Sequence, residues 1–512
     1  MKYNYVLFLL LMFSGSLGAA DIVGNVTDVT TNEPMPAANI IILGTNYGAA
    51  AGTDGSYRIE DVPPGIYSLR ANVIGYAPVT KTDVVVTPVR PVTVDFELRQ
   101  IVLEFGDITV RPDFFSDSND KPVSTQIQTN EEIRRLPGNF EDVVRAVSIL
   151  PGVAQAQAGR NDLIVRGGAP SENLYVVDGI AVNNINHFGT QGASGGPQSF
   201  INLDYVQQTE FSTGGFGVRY GDKLSSVLSI DLKEGREDRI GGKLTLAATQ
   251  FGLDLEGPLS QKGNFIFSAR RSYLDFIFKA NGFGFVPEYW DFLAKGVYNI
   301  NTNNKITLLG IAALDKTNFF NDTRENKLNN SQILGNSQNQ AIAGLTWRHV
   351  FRNGFSRLTL SQTAVDYRFE QTDTLNQPVF QNNSFEQAIG LTENLVYNFS
   401  PNTEFTVGAQ ASFLRFQTDI LLPEFQDYFG NRFSLDASYD TLAVKSAAWA
   451  QVSHFFPQLK VILGVRVNHF NLIKNSLSFS PRLSLKYSLN ETSSLKASAG
   501  LYHQSPSLIR VM

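Results

Sequence analysis

From about residue 240 to its end the chain alternates apolar and polar side chains in one run after another. Leu477, Phe479, Pro481, Leu483, Leu485, Tyr487 and Leu489 hold the odd positions of one run, and Ser478, Ser480, Arg482, Ser484, Lys486 and Ser488 fill the even ones. Phe405, Val407, Ala409, Ala411 and Phe413 repeat the pattern against Glu404, Thr406, Gln410 and Ser412, as do Leu495, Ala497, Ala499 and Leu501 against Lys496 and Ser498. A period of two gives a strand with one face for lipid and one for water, an arrangement no helix produces from these residues. The region parses into thirteen strands, from Lys243–Gln250 and Phe251–Gly257 to Ser494–Gln504. Short joints follow the even-numbered strands. Long ones follow strands three (around 280–289), five (317–336), seven (371–384) and nine (418–445). Alternating short and long joints predict an antiparallel β-barrel crossing a membrane.

Two further regions precede it. Residues 21–98 read as a small β-sandwich of about seven strands with turns at Asp54-Gly55 and Pro63-Pro64-Gly65. Residues 111–237 mix short β runs with a helix expected over Asn139–Ser148, between Pro137-Gly138 and Pro151-Gly152, and read as an α/β unit. The fold class is therefore mostly β: a sandwich, an α/β unit, and a partial barrel over 238–512.

Composition narrows the function. Hydrophobic residues make up 43% and mean hydropathy is -0.10, so no helical span is expected. The apolar run Val6–Phe13, after Lys2 and before Gly18, Ala19 and Ala20, predicts a signal peptide over 1–20 with cleavage before Asp21. Without cysteine, disulfides, thiolate metal sites and cysteine nucleophiles are ruled out. The 5 histidines (His187, His349, His454, His469, His503) show no ligand or triad spacing, so neither enzyme activity, nor a metal, nor a cofactor is expected. A net charge of -6 lacks the clustered basic surface that a nucleic-acid partner requires.

Two sets of words carry a family likeness. In the sandwich, Gly24-x-Val26-x-Asp28, Pro36, Thr53-Asp54-Gly55-Ser56-Tyr57, Pro64-Gly65-x-Tyr67 and Gly75-Tyr76 resemble the carboxypeptidase regulatory-like domain, a module without catalytic residues. The second set follows: Asp162-Leu163-Ile164-Val165-Arg166-Gly167-Gly168, Leu174-Tyr175-Val176-Val177-Asp178-Gly179, Phe211-Ser212-Thr213-Gly214-Gly215-Phe216-Gly217-Val218-Arg219-Tyr220-Gly221 and Val227–Leu232. In that order they resemble the plug domain of TonB-dependent outer-membrane receptors.

The resemblance implies that the plug fills the barrel and that outer loops and plug apex bind a scarce nutrient such as a siderophore or glycan. It also implies that the inner-membrane complex of TonB, ExbB and ExbD pulls on the plug. The barrel would lie in outer-membrane lipid of a Gram-negative cell with the N-terminal domain in the periplasm, and a SusD-like lipoprotein is a further partner that some relatives use. TonB would grip an extended segment by strand addition. Within the linker 99–110, Leu103–Val110 is the candidate TonB box, with Asp107, Ile108, Thr109 and Val110 at its heart, and a first plug strand is the alternative. Arg166 and Asp178 are expected to make buried polar contacts, and Gly167, Gly179 and Gly221 to shape turns. Arg219 and Tyr220 complete the last plug word, Arg270 is a candidate to face the plug, and Asn183, Asn186, His187 and Phe188 are candidate ligand contacts after the Asp178-Gly179 turn. A non-transporting adhesin or structural barrel, or a non-functional fragment of a receptor, is the competing reading. Single-chain barrels have an even number of strands and the family closes with more, so about 13 of an expected 22 are read here. The sequence is thus expected to be the N-terminal part of a longer receptor, with a smaller closed barrel as the alternative.

Overall fold

The computed structural model describes residues 20–28, 31, 33–76, 78–86, 91–98 and 125–510, except 248, 249, 274–276, 280, 302, 401, 427, 428, 491 and 492. The expected signal segment up to residue 19 and the linker with its candidate TonB box lie outside the described residues. The chain divides into two compact units, one holding the sandwich and the other the plug and the large sheet.

In the sandwich, β1 (Ala20–Asp28), β4 (Ser56–Val62), β7 (Val92–Thr93) and β8 (Phe96–Leu98) form one sheet, and β3 (Gly48–Ala50), β2 (Asn39–Ile42), β5 (Gly65–Asn72) and β6 (Val79–Val86) the other. Alternate residues of β1 point inward, so Ile22 and Val26 meet Ile40, Ile42, Leu69 and Phe96 in one core. Tyr57 is buried there and donates its hydroxyl to the Val94 carbonyl at 2.5 Å.

The plug is built on a five-stranded sheet in the order β13 (Ile180–Val182), β12 (Asn173–Val177), β17 (Ser226–Leu232), β16 (Val206–Ser212), β9 (Thr125–Thr129), in which β12 and β17 run parallel. Two smaller ladders join β10 (Val153–Gln155) to β11 (Leu163–Val165) and β14 (Asn186–His187) to β15 (Gln198–Ser199). The helix expected over Asn139–Ser148 is shorter, Val143–Val147. Phe140 and Glu141 have φ of 53° and 57°, which no helix admits, and Asp142 caps the helix by accepting from the Val144 and Arg145 amides. A second helix, Asn130–Arg135, starts with a capping box between Thr129 and Glu132.

Thirteen antiparallel strands follow in sequence order: β18 (Gly241–Leu246), β19 (Gln250–Ser260), β20 (Gly263–Ser272), β21 (Phe285–Asn301), β22 (Asn304–Phe319), β23 (Gly335–Phe351), β24 (Gly354–Thr372), β25 (Pro378–Ser400), β26 (Thr403–Gln426), β27 (Arg432–Phe455), β28 (Leu459–Phe470), β29 (Leu477–Asn490) and β30 (Ser493–Gly500). The sheet is inside out relative to a soluble protein. On β29, Leu477 and Phe479 are 68% and 59% exposed while Ser480 and Arg482 are 0% and 7%. Water-exposed leucines beside buried arginines are what a lipid-facing wall around a polar interior requires. At the ends with short turns, Trp347, His349, Phe351, Tyr397, Phe399 and Phe405 form a chain of ring contacts of about one interface girdle.

Three expected boundaries are corrected. The joint expected at 371–384 closes as a turn between Thr372 and Pro378, and that at 418–445 is two paired strands out to Gln426 and Arg432. Pairing satisfies main-chain groups that a loop would leave to water, and Leu421 beside Leu422 blurs the two-residue period there. The last strand ends at Gly500 rather than Gln504, because Tyr502, Gln504 and Ser505 turn toward the plug and bond Phe216, Ser171 and Asp222.

Candidate functional site: the seam between plug and wall

The plug touches the wall through side chains that arrive from both partners. Asn202 donates to Asp254 of β19 at 2.7 Å and to Ser268 of β20 at 2.8 Å. Asp178 pairs with Lys295 of β21 at 2.8 Å, Gln191 donates to Glu386 of β25 at 2.9 Å, and Asp222 pairs with Lys445 of β27 at 2.7 Å. Asp204 lies between Arg134 (2.7 Å) and Lys243 of β18 (2.6 Å). Burial would raise the Asp204 carboxyl, but these two cations outweigh it and hold it at about 2.

The densest contact surrounds His187. Its Nδ1 lies 2.6 Å from Asp315 Oδ1 on β22 and its Nε2 3.3 Å from Asp291 Oδ2 on β21. Carboxylates at both nitrogens match the two N–H donors of an imidazolium. Burial alone would lower its pKa, yet Asp315 and Asp291 together raise it to about 9. Arg270 Nε bonds Asp291 at 2.7 Å, which makes a buried group of two cations and two anions. Tyr289 stacks on the imidazole with centroids 4.1 Å apart, and the Phe188 amide donates to Asp315 at 2.7 Å.

A second grip holds the plug word that ends at Gly221. Arg466 of β28 donates through Nη1 to the carbonyls of Val218 (3.2 Å) and Arg219 (3.0 Å). Arg482 of β29 does the same to Phe216 (2.9 Å), Gly217 (2.6 Å) and Tyr220 (2.7 Å). The Arg466 guanidinium lies over Trp449 and that of Arg482 over Phe216 and Tyr502, with Tyr502 nearest at 4.3 Å. Gly221 serves this contact rather than a turn, since a Cβ there would lie 2.2 Å from Arg466 Nε.

The other sequence-derived candidates fall as follows. Asp178 and Gly179, with φ of 47° and 86°, are the two central residues of the β12–β13 hairpin, as an Asp-Gly type I′ turn demands. Arg166 does not make the buried contact expected of it: it has φ 50°, is exposed, and sits with Gly167 in the turn after β11. Arg219 is exposed and lies over the Tyr220 ring. Asn183 is exposed and Phe188 half-buried, whereas Asn186 and His187 are buried with their polar atoms engaged, Asn186 with Asn161, Asn184, Gln338 and Gln340. Arg270 faces the plug side of the wall. Asp291, Asp315, Arg466 and Arg482 were not singled out for this seam, and only their place on the polar face of alternating strands signals them.

Family models agree with this architecture. The carboxypeptidase regulatory-like domain matches residues 21–99, the TonB-dependent receptor plug domain 117–226, and the TonB-dependent receptor-like β-barrel 260–510. The TonB-dependent transporter Oar of Myxococcus xanthus is 25% identical over 232 residues, 43% of this chain and 21% of that protein. Among solved structures, the siderophore receptor PirA from Acinetobacter baumannii superposes with TM-score 0.57 at 17% identity, covering 75% of this chain and 62% of that one. The outer membrane transporter YddB from Escherichia coli gives TM-score 0.56 at 13% identity, covering 77% and 64%. This chain belongs to the TonB-dependent receptors of the outer membrane and carries a carboxypeptidase regulatory-like domain ahead of its plug. It spans less than two thirds of the length of these relatives.

Proposed function

We propose that this receptor imports a scarce extracellular nutrient by TonB-driven displacement of its plug, with its N-terminal domain in the periplasm. The polar part of the seam supports this reading, beside an apolar contact in which Ile266, Leu293, Leu309, Ile311 and Ile342 of the wall join the plug core. Groups such as Asn202, Gln191, Asp178 and Asp222 exchange one hydrogen-bonded partner for water when the plug moves. A stopper held only by apolar packing would expose core on every cycle. A plug also has no use in an adhesin. Because the outer membrane holds no ATP, the work arrives through a segment that TonB, energised by ExbB and ExbD, grips by strand addition. Asp107, Ile108, Thr109 and Val110 are proposed as that segment, and Asn183 and Phe188, at the surface of the apex, as ligand contacts.

Ile108→Pro removes one donor and bends the segment. In cells offered labelled siderophore, haem, glycan, peptide and vitamin in turn, the unaltered protein should support energy-dependent uptake of one class, and the proline variant should bind it without accumulating it. Accumulation at the unaltered rate would overturn the assignment.

A further inference from the structure

The hairpin of β26 and β27 continues past the apolar band of the wall, accompanied on the β26 side by β25 as far as the Gln381–Leu421 pair and as two strands beyond it. Phe405, Val407, Ala409, Ala411 and Phe413 face lipid along β26, and Phe413 is 60% exposed. Arg415, Gln417 and Asp419 then occupy the same face, so the apolar band ends there. The pairing nevertheless runs on to Gln426 and Arg432, about 35 Å further along the strand.

Beyond the band, β27 loses its other neighbour. Its ladder with β28 stops at the Lys445–Phe470 pair, where Val444 exchanges hydrogen bonds with Asn471. The amide and carbonyl of Val444 therefore face the β28 side. By strand alternation so do those of Leu442, Asp440, Ser438 and Asp436. No described residue forms a ladder with these four on that side. All four side chains are exposed.

An uncovered edge of this length is usually blunted by lysine, proline or a bulge. Between Asp436 and Leu442 there is neither lysine nor proline, and the β26 bulge lies beyond it, at Leu422–Phe425. The edge carries charge of one sign. Residues 415–442 hold Arg415 and Arg432 against Asp419, Glu424, Asp427, Asp436 and Asp440, and Asp440 accepts from Arg415 at 3.3 Å and Gln417 at 2.7 Å through one oxygen, Oδ2. A second copy pairing about Ser438 would set Asp436 of each chain against Asp440 of the other, which like charges oppose.

We propose that the β27 edge over Asp436–Leu442 is a docking strand for an extended polypeptide segment of a partner, one with lysine or arginine at alternate positions on the face that meets Asp436 and Asp440. Main-chain bonds to four residues supply the grip, and the carboxylates select the charge. The ribbon's extracellular position rests on the function proposed above, but binding to the purified protein does not, so the two fail separately.

The test uses the full chain in detergent and two fluorescent nonapeptides, one alternating lysine with valine and one alternating glutamate with valine. Anisotropy should show saturable binding of the lysine peptide alone, and amide exchange at Asp436, Ser438, Asp440 and Leu442 should slow by about tenfold at saturation. Ser438→Pro, which removes an edge amide that β26 does not use, should weaken binding by about tenfold or more. Asp436→Lys with Asp440→Lys should transfer binding to the glutamate peptide. Peptide binding without slower exchange at these amides, or unaltered binding by Ser438→Pro, would overturn the proposal. Concentration-dependent protection without peptide would overturn it in favour of self-association.

Discussion

His187 concentrates the electrostatics of the seam in one ring. Replacing it by alanine leaves Asp291 with Arg270 but Asp315 buried with no cation, only the neutral donors of the Phe188 amide and Gln338, so the variant should lose about 3 to 5 kcal/mol in a denaturant titration of the protein in detergent. Adding Asp315→Asn should recover part of that loss. The imidazolium is favoured by folding, its pKa moving from 6.5 to about 9. Its contribution is therefore complete below pH about 6.5 and disappears as pH rises through about 9. The groups facing it are Asp291, Asp315, Arg270 and the Tyr289 ring. The protection factor of the Phe188 amide, its exchange rate relative to the intrinsic rate at each pH, should fall across that window in the unaltered protein and stay level in His187→Gln.

At the scale of elements, the hairpin loop between Phe216 and Gly221 is held by the two wall arginines. Gly221→Ala places a methyl group against Arg466, and overpacking of this kind should cost about 1 to 3 kcal/mol, read as a lower melting temperature. Arg466→Met should relieve most of it. Here the limits of the sequence become specific. The β period, the turn chemistry of Asp178-Gly179 and the order of the plug words were all readable, because each is local. The function of Gly221 was not, since Arg466 lies far along the chain, nor was the partner of His187, since Asp315 is 128 residues away. A polar position on an alternating strand announces that it faces inward but not which plug residue it will meet. The β26–β27 ribbon was read as a loop because strand continuation depends on the partner strand, and its own alternation is broken at Leu421-Leu422.

For the molecule as a whole, the inverted surface makes opposite predictions for the two faces of the wall. Leu463 on β28 is 60% exposed, and Leu463→Arg should destabilise bilayer-embedded protein by about 2 to 4 kcal/mol if it lies near the midplane. Ser478→Thr on the polar face of β29 should stay within about 0.5 kcal/mol, and both are measured by urea titration in lipid vesicles. Equal responses would contradict a lipid-facing wall. The grip of Arg466 and Arg482 falls on carbonyl oxygens, atoms that every amino acid brings. Arg219, whose side chain is exposed, can therefore be exchanged for another residue while the loop stays moored, so a reporter side chain for plug movement can be installed there without cutting the tether it is meant to watch.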